Sequence, residues 1–369
     1  MRNYIMRRIL FIPPVLFLIM VINFTFVQFV PGGPVEKVIA QITNQDSSAA
    51  SRITGESSSE IANAKSQTQS NSPGQSMYKG ARGIDPELIR EIERQFGFDK
   101  PVSERFLIMM RSYLLFDFGE SFFRDKSVIG LLIEKLPVSI SLGLWSTLAI
   151  YLISIPLGVS KALKDGSRFD VSTSAVVIVG YAIPGFLFAI LLIVLFAGGS
   201  YWKVFPLAGL VSENWSELSI LGKTLDYFWH MTLPIVSLTI GGFAGLTMLT
   251  KNSFLEEIRK QYVVTARAKG LSEKRILFIH VLRNALLIVI AGFPGALIGI
   301  LFTGALLVEI IFSLDGIGLL GYEAAINRDY PVMFGALYIF TLLGLLMNII
   351  SDLMYVVVDP RIDFSKKES

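Results

Sequence analysis

Six apolar stretches, each long enough to cross a bilayer as a helix, constrain this chain more than any other feature: residues 9–30, 138–159, 171–196, 231–249, 285–312 and 332–358. A helix needs about 20 mainly apolar residues to cross the hydrocarbon, and in lipid it must satisfy its own backbone hydrogen bonds. The sequence therefore specifies an all-α polytopic membrane protein with six transmembrane helices. At 52% hydrophobic and 17% charged residues in 369, it is too apolar for an ordinary soluble domain. The absence of cysteine excludes disulfides, thiol catalysis and thiolate metal sites, and His230 and His280 alone make no metal centre.

Six spans leave both termini on one side, and Lys and Arg in the short flanks decide which side. Arg2, Arg7 and Arg8 precede the first span, and Lys161, Lys164 and Arg168 follow the second. After the fourth come Lys251, Arg259, Lys260, Arg267, Lys269, Lys274, Arg275 and Arg283, whereas the opposite short loops hold Lys203, Lys223 and Arg328. Both termini are thus expected in the cytoplasm. The net charge of +3 reflects these flanks and implies no nucleic acid partner. The first block exceeds a signal-peptide core and runs into Val30-Pro-Gly-Gly-Pro34 without a small-residue cleavage site, so it is expected to remain as a span.

The chain divides into residues 1–31 with the first span, an outer segment over 32–137, the core of spans two to six over 138–358, and a cytoplasmic tail over 359–369. Within the outer segment, residues 45–80 are rich in Ser, Gln, Asn, Ala and Gly and are expected to be a flexible insert. Asp85-Pro-Glu87 reads as an N-cap and first turn, followed by Leu88, Ile89, Ile92 and Phe96 at helical spacing and Gly97 as terminator. A second amphipathic helix follows Pro101 with Phe106, Met109, Met110 and Tyr113 on one side. A brace between spans and a docking surface fit these helices equally well.

The polar loop at 251–284 is built as a hairpin. Tyr262-Val-Val-Thr-Ala-Arg-Ala-Lys-Gly-Leu-Ser-Glu-Lys-Arg275 reads as a small-residue helix, a glycine break and a second, basic helix. Lys269 suits the negative end of the helix dipole and Gly270 the left-handed terminator, while Ser272 and Glu273 suit the start of the next helix. Ala266 and Ala268 leave a low profile, and Tyr262 and Val263 offer apolar anchors. These residues fit docking to a protein or contact with anionic lipid.

Thr265-Ala-Arg-Ala-Lys-Gly-Leu-Ser-Glu273, with His280-Val-Leu-Arg-Asn-Ala285 downstream, resembles the EAA loop of permease subunits in bacterial ABC importers of the dipeptide and oligopeptide branch. Matching stretches include Arg7-Arg8, Val30-Pro-Gly-Gly-Pro34, Phe116-Asp-Phe-Gly-Glu-Ser121, Leu136-Pro137, Phe312-Ser-Leu-Asp-Gly-Ile-Gly-Leu-Leu320, Asn327-Arg-Asp-Tyr-Pro331 and Asp359-Pro-Arg361. The resemblance spans nearly everything outside residues 45–80. It implies an inner-membrane importer subunit that moves peptides or peptide-like conjugates, microcin C among them, from periplasm to cytoplasm by alternating access. By the same resemblance, Thr265, Ala266, Arg267, Ala268, Lys269, Gly270, Leu271 and Ser272 form the coupling helix region that docks into a cytoplasmic ATPase subunit. A second permease subunit, two ATP-binding subunits and a periplasmic substrate-binding protein complete the implied assembly. ATP and magnesium belong to those partners, and this chain itself needs no cofactor. Val264 stands where the general pattern has glutamate, so no glutamate-specific contact carries over.

Two phosphate-binding patterns are decoys. Gly316-Ile-Gly-Leu-Leu-Gly321 follows a span without a strand–turn–helix context, and Gly222-Lys-Thr224 has Glu217 where the opening glycine belongs. Gly241 with Gly245, and Gly295 with Gly299, are expected at close helix crossings, and Pro184, Pro234 and Pro294 at loosened turns. Glu309 and Asp352 are acids in apolar surroundings and thus candidates for gating. Trp202, Trp215, Trp229 and His230 read as interfacial anchors. The competing classes are an ion-gradient-driven secondary transporter, for which paired buried acids and inverted repeats are not evident, and an intramembrane hydrolase, for which no nucleophile cluster exists.

Overall fold

The computed structural model describes residues 2–30, 33–42, 86–95, 97–198, 201–299 and 305–358. The insert expected over 45–80, the N-cap at Asp85, Phe96 and the tail over 359–369 lie outside the described residues. The elements are α1 (Arg2–Phe29), α2 (Pro34–Ile42), α3 (Pro86–Gln95), α4 (Val102–Leu114), α5 (Val128–Leu163), α6 (Arg168–Ala182) and α7 (Gly185–Phe196). They continue with α8 (Ile220–Ile258), α9 (Gln261–Ala268), α10 (Glu273–Gly299), α11 (Leu306–Ile311), α12 (Ile317–Asn327) and α13 (Tyr330–Val358). Five of these, α1, α5, α8, α10 and α13, are long and apolar enough to cross a membrane, and the bent pair α6–α7 makes a sixth if it counts as one span.

Hydropathy marks the hydrocarbon, not the helix ends. At about 1.5 Å per residue, the 39 residues of α8 reach about 58 Å, twice the roughly 30 Å of a bilayer core. So α8 extends beyond the apolar block 231–249 in both directions. α10 likewise begins at Glu273, well before the apolar block 285–312. The third block is not straight: α6 and α7 meet at 93°. Pro184 has no N–H to continue the ladder, and Ile183 before it takes an extended backbone (φ −86°, ψ 117°). Gly185 then lies so near α8 that a Cβ there would come within 3.2 Å of the Ser237 carbonyl oxygen.

Irregular backbone at membrane depth needs side-chain partners. α10 contains a π-turn over Ile276–Val281 and further breaks at Leu286 and Gly292. The Tyr151 hydroxyl donates to the Val289 carbonyl at 3.0 Å, and the Ser351 hydroxyl donates to that of Ala291. On α8, the hydroxyls of Thr239, Thr247 and Thr250 donate back to the carbonyls of Ile235, Phe243 and Leu246 at 2.7, 2.7 and 2.8 Å. No polar hydroxyl among these three is left facing lipid unpaired.

The close crossings fall elsewhere than the sequence spacing suggests. A Cβ at Gly158 would sit 2.6 Å from Thr250 Cβ and 2.8 Å from the Thr247 carbonyl, and one at Gly242 would strike Ile150. A Cβ added at Gly241, Gly245, Gly295 or Gly299 would meet no atom of another segment within 4 Å. Spacing identifies a small-residue face but not which neighbour it meets.

The chain folds as two compact units. The larger comprises Met1–Leu16, Gly130–Tyr322 and Tyr338–Ser369. One of its cores gathers Leu142 of α5, Leu192 of α7, Met231 of α8, Val308 of α11, and Phe312 and Leu314 beyond it. The smaller unit comprises Phe17–Ile129 and Glu323–Leu337, and in it Val35 and Ile39 of α2 pack on Ile89 and Ile92 of α3. It also brings together two motifs far apart in sequence. Buried Asp329 accepts from the Ser121 hydroxyl and, at 3.1 Å, from the Phe122 N–H, while Arg124 pairs with Glu323. Lys37 donates to the Ile326 carbonyl at 3.2 Å and to Asn327 at 2.8 Å.

Candidate functional site

The hairpin after α8 is shaped by local backbone chemistry. Arg259 ends α8, and Lys260 in extended conformation opens α9. The helix closes with Gly270 at φ +78°, where the Gly270 N–H donates to the Arg267 carbonyl at 2.9 Å and the Leu271 N–H to that of Ala266 at 3.3 Å. This crossed pair around a left-handed glycine is a Schellman stop, and Leu271 packs with Ala266 in its usual apolar contact. Ser272 stands extended before Glu273, but its side chain makes no capping hydrogen bond. Instead Glu273 reaches back to Arg267, which donates from Nε at 2.7 Å and from a terminal nitrogen at 3.2 Å. That fork holds the two arms together and raises the Arg267 pKa. Beyond Arg275 the chain continues as the π-turn, not as a separate basic helix.

One face of the hairpin is seated on its own chain. Val263 and Ala266 are buried with Ala162 of α5, Phe254 of α8, and Ile276, Val281 and Ala285 of α10. The Tyr262 phenol donates to Glu257 at 2.8 Å and accepts from the Asn284 amide at 3.3 Å, with the His280 carbonyl 3.4 Å away. Tyr262 and Val263 therefore anchor inward, not toward a partner. The reason is helical phase: Val263 and Ala266 share the inner face at i and i+3. Lys260 folds onto Glu257, and that hydrogen bond raises its pKa.

The opposite face is open. Val264, Thr265, Arg267, Ala268, Lys269, Gly270 and Ser272 are exposed, Val264 at 50%. Of the docking residues named from the resemblance, only Ala266 and Leu271 turn inward. The result is a small, shallow surface edged by positive charge and backed by three long helices.

Beneath the hairpin lies an ionic clasp that the sequence reading missed, because it treated Lys161 and Lys251 as flanking charges. Lys161 of α5 is fully buried and donates to the Asp170 carbonyl at 2.9 Å, Thr173 at 3.0 Å and Ser174 at 2.7 Å, and its Nζ lies 2.9 Å from an Asp170 carboxylate oxygen. The other Asp170 oxygen accepts from Lys251 of α8 at 2.7 Å and from the Gly166 N–H at 3.1 Å. Lys251 also pairs with Asp165 at 2.9 Å. Ser167 caps α6 through the Asp170 N–H. The clasp binds the ends of α5 and α8 to the start of α6.

The acids singled out as gating candidates both have partners on this chain. Asp352 of α13 accepts from Tyr4 at 3.0 Å and pairs with Arg8 at 3.0 Å, joining the two ends of the larger unit. Glu309 is fully buried, and its carboxylate accepts the Leu319 N–H at 2.7 Å and lies 3.4 Å from the Ser139 hydroxyl, which takes the Ile317 N–H at 2.8 Å. An acceptor carboxyl group thus sits at the positive end of α12. A Cβ on Gly316 would collide with that carboxylate and have to push it aside. Replacing Glu309 by Leu takes the acceptor from the half-buried Leu319 N–H and is expected to cost about 1–3 kcal/mol, read as a lowered melting temperature in detergent, with Glu309→Gln milder. Equal melting of Glu309→Leu and the parent protein would count against this role. Trp202 and Trp229 are exposed as anchors should be, whereas His230 is buried, with one ring nitrogen 2.9 Å from the Asp226 carbonyl.

Comparison with known proteins gives the same direction. A family model described as the binding-protein-dependent transport system inner membrane component matches residues 154–364. The sequence is 57% identical, over the whole of both chains, to the peptidoglycan transport system permease protein YejB of Agrobacterium fabrum. It is 59% identical to the inner membrane ABC transporter permease protein YejB of Escherichia coli O157:H7, over 99% of each chain. It is 36% identical to the oligopeptide transport system permease protein AppB of Bacillus subtilis, over 76% of this chain and 88% of that one. Apolar spans, an open polar hairpin and these relatives define a permease subunit of an ABC transport system. The chain belongs to the binding-protein-dependent transport system inner membrane component family, as a multi-pass inner-membrane protein of a multi-subunit system. This sets aside the secondary-transporter reading.

Proposed function

We propose that this chain is one half of the pathway of an ATP-driven importer that carries peptides and peptide-bearing conjugates from periplasm to cytoplasm by alternating access. The observation that carries the proposal is the two-faced hairpin. Its inner face is fixed to α5, α8 and α10, while Thr265, Arg267, Ala268, Lys269, Gly270 and Ser272 remain open to a partner. A cytoplasmic ATP-binding subunit seated there would move three spans together, and a second permease would use its own hairpin on a second such subunit. ATP and magnesium act in those subunits, and a periplasmic binding protein delivers substrate. The flanking Lys and Arg support cytoplasmic termini. The names of the relatives, which refer to peptidoglycan and oligopeptide transport, support a peptide-like substrate, and microcin C is one candidate conjugate. Glu309 and Asp352 are the gating candidates, because the contacts they close must reopen if α12 or the ends of α1 and α13 shift.

The test is uptake of a labelled tripeptide into proteoliposomes holding the assembled complex. With ATP-binding subunits that bind but do not hydrolyse ATP, concentrative uptake is expected to vanish. Uptake that persists and follows an ion gradient would overturn the proposal.

A further inference from the structure

The smaller unit carries a partly open cavity separate from the hairpin, the clasp and the Glu309 contacts. It measures about 320 Å³ and lies among Phe24 of α1, Phe98, Met109 and Tyr113 of α4, and Phe334 of α13, with Arg105 among its polar lining groups. At roughly 30 Å³ per water-sized group, it holds about ten such groups, the bulk of a medium-length alkyl chain. Its walls are mostly aromatic and aliphatic, so the body of any occupant is apolar.

The charged lining groups are Lys100, Arg105 and Asp117. Asp117 accepts the Gly119 N–H of its own loop at 3.1 Å. The Arg105 guanidinium lies over the Phe98 ring, 4.4 Å from its centre, and donates to Gln28 at 3.1 Å. That stack presents the guanidinium's donors in a fixed plane. The balance of charge favours an anionic group. A peptide's ammonium end would find one carboxylate among the lining residues, and that one is engaged with its own loop.

The surroundings indicate where the occupant comes from. Ile108, which lines the cavity, is 44% exposed, and beside it on α4 Leu107 and Leu114 are 66% and 67% exposed, with Leu115 just past the helix end at 77%. On α1, Phe26 and Phe29 are 67% and 79% exposed. An amphipathic helix with this much uncovered apolar surface lies in the interfacial layer of a bilayer, with lipid at its side. We propose that the cavity takes one acyl chain of an anionic phospholipid from the leaflet beside α4, with the headgroup phosphate on Arg105 and Lys100.

The experiment uses the full-length chain in detergent, titrated with phosphatidylglycerol or phosphatidylcholine and read by native mass spectrometry. One tightly held phosphatidylglycerol is expected, bound about tenfold more strongly than phosphatidylcholine, since both offer a phosphate but the choline cation of the second is repelled by Arg105 and Lys100. Arg105→Glu should abolish that preference, and Ser112→Trp, which fills the cavity, should weaken both lipids. Arg105 is not in the buried core, so its variant keeps the test usable if Ser112→Trp does not fold. Equal binding of the two lipids by the parent protein would overturn the proposal. So would an unchanged preference in Arg105→Glu, or displacement of the lipid by an added tripeptide.

Discussion

Asp170→Ala is expected to leave little folded protein. The change strands the fully buried Lys161 ammonium with only hydroxyl and carbonyl partners and takes from Lys251 one of its two carboxylates. Removing one member of a buried ion pair costs about 3–5 kcal/mol, a large share of a typical total of about 5–15 kcal/mol. Membrane yield and melting temperature should both drop sharply. The double variant Lys161→Met with Asp170→Leu should melt closer to the parent protein than Asp170→Ala does, because it removes the stranded charge as well as the bond. If Asp170→Ala melts with the parent, the clasp is not a stability element.

The second large effect is expected at Gly270. Proline fixes φ near about −65°, whereas Gly270 sits at +78° and gives its N–H to Arg267. Gly270→Pro must therefore unmake the Schellman stop and lose the turn that sets Leu271 and the Arg267–Glu273 fork. The turn lies outside the six apolar blocks that cross the hydrocarbon, so the protein should still reach the membrane. Because strain of about 1–3 kcal/mol falls on the turn we propose as the docking site, peptide uptake and stimulation of the ATP-binding subunits should each drop by about tenfold or more. Gly270→Ala tolerates the left-handed region better and should retain most of the activity. Normal uptake in Gly270→Pro would remove the hairpin from the transport mechanism.

The membrane class was legible because apolar runs report hydrocarbon directly. Helix ends were not, since α8 runs past its apolar block at both ends and α10 begins well before its own. The elbow between α6 and α7 was legible only as Pro184 in a span. A proline can kink, break or merely loosen a helix, and the approach of Gly185 to α8 decides which. Gly270 was legible in full, because its conformation is a property of the local chain. Which way Tyr262 and Val263 face was not, since over eight residues of α9 the apolar pattern fits either side. The clasp was illegible for a different reason. Lys161, Asp170 and Lys251 stand on three separate helices, and only the packed structure brings their charges together.

The clasp also separates two stages in the life of the protein. During insertion the chain is not yet packed, and Lys161 and Lys251 weigh on orientation as free cations, because neighbouring Asp and Glu contribute little to that decision. After folding, the two lysines and Asp165 and Asp170 form a set with no net charge. The same residues that help orient the newborn protein in the membrane become, in the finished one, an electrically silent joint.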